Sequence, residues 1–265
     1  MDYNEDHPYL KIIPVRPDWT DGTSLFGYYS SFEKQYMKTE FLDMLLQATS
    51  ERDKPHFVVL DEMNLARVEY YLSDYLSGVE STKPIQLHNV EGVSDVPKTI
   101  EIPHNFYLVG TINTDETTHS ISDKVLDRSF VMTLSDVDFD SFWETLDTKM
   151  KDEVETEWHF LLKLHEVLSE YGLHFGYRTM NEILHKLYKN SQLPEEVRMG
   201  KWIGLDRVIS EKILPKIRGD ERIDKLLSQL DSTFLARFGE DSESLKHITR
   251  MRKELDRYGA AQFWS

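Results

Sequence analysis

The chain has 265 residues, of which 40% are hydrophobic, an ordinary content for a folded globular protein and enough for one sizeable α/β domain or a domain with a smaller companion. Its 31 basic and 47 acidic residues give a net charge of −16, which argues against a general polyphosphate-binding surface and against direct nucleic-acid binding by this chain alone. No cysteine is present, which excludes disulfides and thiolate metal sites and fits the reducing cytoplasm where the chain is expected. An acidic, polar start after Met1 and the lack of any run near about 18 apolar residues predict neither a signal peptide nor a membrane span.

In chain order, Leu10–Val15 reads as a short buried strand stopped by Pro14 and Pro17. Glu40–Ala48 places Phe41, Met44, Leu45 and Ala48 on one helical face. Phe57–Leu60 is an unbroken apolar run, the pattern of a parallel strand covered on both faces. Helical spacing returns over Leu65–Leu76, and Pro84–Leu87 with Lys98–Ile102 reads as a hairpin around a loop at Gly92. Phe106–Gly110 is a further apolar strand. From about Phe139 the texture becomes helical, with helices predicted over Glu153–Tyr171, Thr179–Lys189, Lys201–Ile213, Arg222–Leu230 and Ser242–Arg257. The composition change predicts two subdomains, 1–138 of α/β type and 139–265 all-helical.

The strongest chemical signal is the run Phe57–Asn64, a strand ending abruptly in the adjacent carboxylates Asp61 and Glu62. At the carboxyl edge of a parallel sheet, one such carboxylate can hold Mg²⁺ through its water shell while the next orients or deprotonates a water. The same pair reads equally as an acidic cap on the helix starting near Leu65. The second signal is Phe106–Thr114, which delivers Thr111, Asn113 and Thr114 at a strand end. An amide at Asn113 beside Asp61 can both donate to and accept from a water or a phosphate, although asparagine also favours strand ends as a turn former. Arg128 suits charge neutralisation in phosphoryl transfer, and it suits equally a surface ion pair with Asp123 or Asp127.

Taken together, these segments resemble the AAA+ module of the McrB family, within the MoxR and dynein-related group. The resemblance runs nearly end to end. Ile13–Trp19 and Leu25–Tyr29 resemble the stretch after the family's first helix, Phe57–Asn64 its Walker B strand, and Gly110–Thr114 its sensor 1 strand. Asp123–Phe130 resembles the segment bearing the arginine finger, with Arg128 in that position, and Phe175–Thr179 the start of a lid helix with Arg178 as the sensor 2 arginine. The family commonly has Met before the sensor asparagine, where this chain has Ile112.

The resemblance implies an α/β fold: a P-loop-type parallel-sheet subdomain, truncated at its amino terminus, followed by a helical lid. It implies Asp61 as the Mg²⁺-organising residue, Glu62, Asn113 and Arg128 as catalytic residues, and Arg178 as a nucleotide contact. The substrate would be ATP or GTP, the full-length protein a homo-oligomeric ring with a nuclease or other effector subunit as partner, and the setting restriction or phage defence. The sequence contains no Gly-x-x-x-x-Gly-Lys-Ser/Thr loop, which family order places before Leu10. Truncation, a partner that supplies the loop, and a degenerate interaction scaffold that does not need nucleotide each account for this. Without that loop's strand and helix, an apolar sheet face is expected to stand open.

Overall fold

A computed structural model describes residues 7–81, 83–113, 118–134 and 136–264. The chain divides into two compact units, Met1–Thr133 and Leu134–Ser265, each with its own hydrophobic core, where the sequence reading set the division after residue 138. The fold is α/β. No helix among the described residues is long and apolar enough to cross a membrane.

The first unit is built on a parallel sheet of β1 (Leu10–Pro14), β2 (His56–Asp61) and β3 (Phe106–Gly110), in the order β1-β2-β3. The register sets Leu60 opposite Ile13 on one side and Gly110 on the other, so β2 and β3 end side by side. Between β1 and β2 runs α1 (Glu40–Ser50), capped by Thr39, whose hydroxyl accepts the Leu42 N–H, and favoured by Glu40 and Asp43 in its first turn. It buries Phe41, Leu45 and Ala48 in the core that also holds Ile13, Val58, Leu60 and Phe106.

Three local readings are corrected here. β2 is not covered on both faces: Val58 and Leu60 are fully buried while Phe57 stays 39% exposed, because the elements sharing the core of the first unit pack on one side of the sheet. The single helix expected over Leu65–Leu76 is a 3₁₀ turn (Met63–Leu65), a short helix (Val68–Tyr71) and a second helix (Ser73–Ser81). Ala66 is extended, at φ −117° and ψ 167°, so helical hydrogen bonding cannot run through it. A hairpin of Tyr28–Ser30 with Gln35–Met37 also went unread. It starts at Gly27, where φ is +81° and a Cβ would stand 1.9 Å from the Met37 carbonyl oxygen, so only glycine fits.

The second unit consists chiefly of α2 (Thr148–Ser169), α3 (Tyr177–Ser191), α4 (Lys201–Lys212), α5 (Asp224–Phe238) and α6 (Glu243–Tyr258). It is not all-helical, since Arg218–Asp220 pairs antiparallel with Ala260–Gln262. α5 runs past its expected end at Leu230 because Phe234 stays on the buried face, and it stops at Gly239 with φ +83°. Asp206, 7% exposed, reaches from α4 to the start of α6 and accepts the Glu243 and Ser244 N–H groups and the Ser242 hydroxyl.

Candidate functional site

Strand β2 delivers Asp61 and Glu62 to the carboxyl edge of the sheet, and β3 delivers Thr111 and Asn113 beside them. The two strand ends are tied backbone to backbone, Thr111 N–H to the Leu60 carbonyl at 3.0 Å and Met63 N–H to the Thr111 carbonyl at 2.8 Å. Their side chains form a continuous network. The Thr111 hydroxyl donates to Asp61 Oδ1 at 2.8 Å and accepts the Glu62 N–H at 2.8 Å. Asn113 Nδ2 donates to Glu62 Oε1 at 2.9 Å. Glu62 itself sits in the left-handed region, at φ 50° and ψ 47°, a conformation that costs a non-glycine residue about 1 kcal/mol or more and recurs where geometry serves a site.

Asn64, which sequence reasoning passed over, is the clamp beneath this network. It is 3% exposed, and its Nδ2 donates to the carbonyls of Asn113 (2.7 Å) and His119 (3.3 Å) while its Oδ1 accepts the Asn113 N–H at 3.3 Å. The His119 N–H closes the loop onto the Asn64 carbonyl at 2.9 Å. Its only signal in sequence is an amide placed three residues after a strand-terminal aspartate. Met63 is held in turn by the buried Tyr71 hydroxyl, which donates to its carbonyl at 2.9 Å, and burial pushes that hydroxyl's pKa upward. Gly110 leaves room for Met63, because a Cβ there would lie 2.0 Å from the Met63 sulfur.

The arrangement therefore brings together Asp61, Glu62 and Asn113, with Thr111 and Asn64 as supports. Thr114 lies outside the described residues. Arg128 is engaged elsewhere: its guanidinium pairs with Glu80 at 2.5 Å and donates to the Lys124 carbonyl at 2.6 Å, rather than pairing with Asp123 or Asp127. Arg178 belongs to the second unit, exposed in the first turn of α3 and within electrostatic reach of Glu182. Among the described residues, no cluster of three or more His, Asp or Glu side chains is placed to hold a metal. Asp61 and Glu62 with the Thr111 hydroxyl offer two carboxylates and one neutral oxygen, a set able to orient water and to contact a cation that keeps most of its hydration shell.

No curated protein matches the chain. The family model described as Domain of unknown function (DUF8727) matches residues 127–260, just over half the length, taking in Arg128, Arg178 and nearly the whole second unit while leaving Asp61, Glu62 and Asn113 outside. By that match, the chain belongs to the DUF8727 family.

Proposed function

We propose that this chain is part of an AAA+ nucleotide hydrolase of the McrB type, which couples ATP or GTP hydrolysis to remodelling or translocation. The observation that carries the reading is the joined end of two parallel strands, where Asn113 holds Glu62 at 2.9 Å and Thr111 holds Asp61 at 2.8 Å. In this reading Asp61 organises a hydrated Mg²⁺, Glu62 orients and deprotonates the attacking water, and Asn113 positions Glu62 and the terminal phosphate. Asp61, Glu62 and the Thr111 hydroxyl would hold a hydrated Mg²⁺, which when bound would supply charge neutralisation at the phosphates. Arg128 acts across a subunit interface in a homo-oligomeric ring and exchanges Glu80 for a neighbour's phosphate as the ring assembles. For Arg178 a nucleotide contact is implied by the resemblance alone. An effector such as a nuclease, in a restriction or phage-defence setting, follows from the resemblance alone.

A second reading, an interaction scaffold on the same fold that does not use nucleotide, draws support from two facts. The Arg128 guanidinium already has a carboxylate partner in Glu80, and the Asp61–Glu62–Asn113 network is complete without a ligand. Phosphate release separates the two. The chain alone should release phosphate from ATP and GTP at background rate. The same chain, extended ahead of His7 by a strand, a Gly-x-x-x-x-Gly-Lys-Thr loop and a helix, should show Mg²⁺-dependent turnover. Neither nucleotide binding nor turnover by the extended protein would favour the scaffold. Mixing extended Arg128→Ala and Glu62→Gln subunits should restore part of the activity if the arginine is given in trans.

A further inference from the structure

The helical unit carries an open trough between α2 and α5, where two adjoining cavities of about 260 and 580 Å³ follow one another along α2. Its floor is apolar, formed by Phe160, Leu164 and Leu230 of that unit's core. On the α5 wall Thr233 and Ala236 are short, which leaves the trough open. Its charges have an order. Glu155, His159, Lys163 and Glu166 recur at helical spacing and share one face of α2. Lys163 borders both cavities, as does Arg237 from α5, whereas Glu155 borders only the smaller and Glu166 only the larger. The trough is therefore cationic at its middle and carboxylate at each end, with the ends about 16 Å apart at the helical rise of about 1.5 Å per residue. Arg237 is held in place by two rings, its guanidinium carbon 4.5 Å from the Trp202 centroid and 5.7 Å from that of Phe160. Stacking fixes the plane of the guanidinium and leaves its N–H groups free to donate. Among the described residues, neither Lys163 nor Arg237 has a carboxylate partner.

We infer that this trough receives a single amphipathic helix of a partner protein, with its apolar face on Phe160, Leu164 and Leu230, a central acidic pair on Lys163 and Arg237, and a basic residue at each end opposite Glu155 and Glu166. Three features select this occupant. The trough offers no strand edge, so an extended segment would leave its own backbone groups unpaired there, while a helix satisfies them internally. The charge order fits an elongated partner, because a compact anion would use the two cations and leave both end carboxylates unmatched. A polyanion such as nucleic acid would meet those carboxylates on a chain of net charge −16. The inference rests on the helical unit and not on the hydrolysis reading.

The test uses the intact chain and a panel of lactam-stapled helical peptides of about 16 residues, with Leu, Ile or Phe along the apolar face. One set carries a central Glu pair and a Lys at each end; the other has the same composition with the order inverted. Since both sets have equal net charge, the −16 of the chain attracts them alike and only the order of charge differs. Fluorescence anisotropy should show saturable binding of the first set and binding about tenfold weaker or less for the second. A proline at the peptide centre should abolish binding, and about 0.5 M NaCl should weaken it. Lys163→Glu should weaken it about tenfold or more, with an unchanged circular dichroism spectrum because Lys163 is exposed. Lys253→Glu, exposed on α6, should leave it unchanged. No saturable binding by any peptide of the panel, or binding indifferent to charge order, to the proline or to Lys163→Glu, would overturn the inference. So would dodecanoate binding as tightly as the best peptide, which would give the trough to a small anion, or a dimer in sedimentation equilibrium that Lys163→Glu dissolves, which would give it to a second copy. Phosphate release by the loop-extended protein bears on the hydrolysis reading alone.

Discussion

Replacing Asn64 with alanine should unfasten the site from beneath. The side chain makes one short bond, 2.7 Å to the Asn113 carbonyl, and two longer ones of 3.3 Å to the His119 carbonyl and from the Asn113 N–H. Counting about 1 kcal/mol net for the short bond and about half that for each longer one gives a loss of about 2 kcal/mol. The Asn113 carbonyl keeps the Thr118 hydroxyl at 2.8 Å, which limits the penalty for the groups left behind. With a urea dependence of about 2 kcal/mol per molar, the midpoint of the first unit should fall by about 1 M. Urea-dependent hydrogen exchange read on peptides covering 56–65 isolates that unit from the helical one. Asn64→Asp is the sharper probe. It keeps an acceptor for the Asn113 N–H but turns a carboxylate toward two carbonyls and near Asp61 and Glu62. It should cost at least as much at pH 7 and recover as the pH falls and the new carboxyl is protonated. A midpoint for Asn64→Ala within about 0.3 M of the parent would refute the clamp.

Gly110→Ala should destabilise the first unit by about 1–3 kcal/mol through the 2.0 Å approach to the Met63 sulfur, and Met63→Ala in the same protein should relieve the clash; a neutral Gly110→Ala melt would show otherwise. In the helical unit, burial and the neighbouring His174 hold the His165 pKa below its ordinary value, and burial with Arg250 does the same for His247. Both histidines bind protons more readily unfolded than folded, so that unit should lose stability as pH drops below about 6.5, until the folded groups titrate as well. His165→Phe, which suits the ring of Phe139 at 4.8 Å, should flatten the decline in a series of urea melts between pH 8 and 5, and an unchanged slope would count against the assignment. Asp206→Ala should cost about 2–4 kcal/mol by uncapping α6, with Asp206→Asn recovering part; equal melts for the two variants would contradict the capping role.

The strand ends were legible because an apolar run that stops on two carboxylates has few places to go except the edge of a sheet. Asp61, Glu62 and Asn113 could thus be named before their contacts were visible. One-sided coverage was not legible, since Phe57–Leu60 reads the same whether one face or both are buried, and only the packing of the connecting elements decides. Asn64 was hidden because its partners, Asn113 and His119, lie across a chain reversal that no local pattern encodes. The Arg128 partner was missed for the same reason: Glu80 lies 48 positions away in sequence, while Asp123 and Asp127 stood next to it. Helical spacing over Leu65–Leu76 was real, yet the backbone is extended at Ala66 and leaves helical geometry again at Leu72. The helix expected over Arg222–Leu230 runs on to Phe238 in α5, where Phe234 carries the buried face onward.

The account turns on whether Glu62 activates water for attack on a bound nucleotide, and Glu62→Gln in the loop-extended protein addresses that directly. Gln keeps the shape and an acceptor for the Asn113 amide but cannot take a proton. Binding of a fluorescent ATP analogue with Mg²⁺ should stay within a few-fold of the parent, while single-turnover phosphate release falls by about 10²–10⁴. Near-parent phosphate release by the Gln variant, with binding intact, would contradict the assignment.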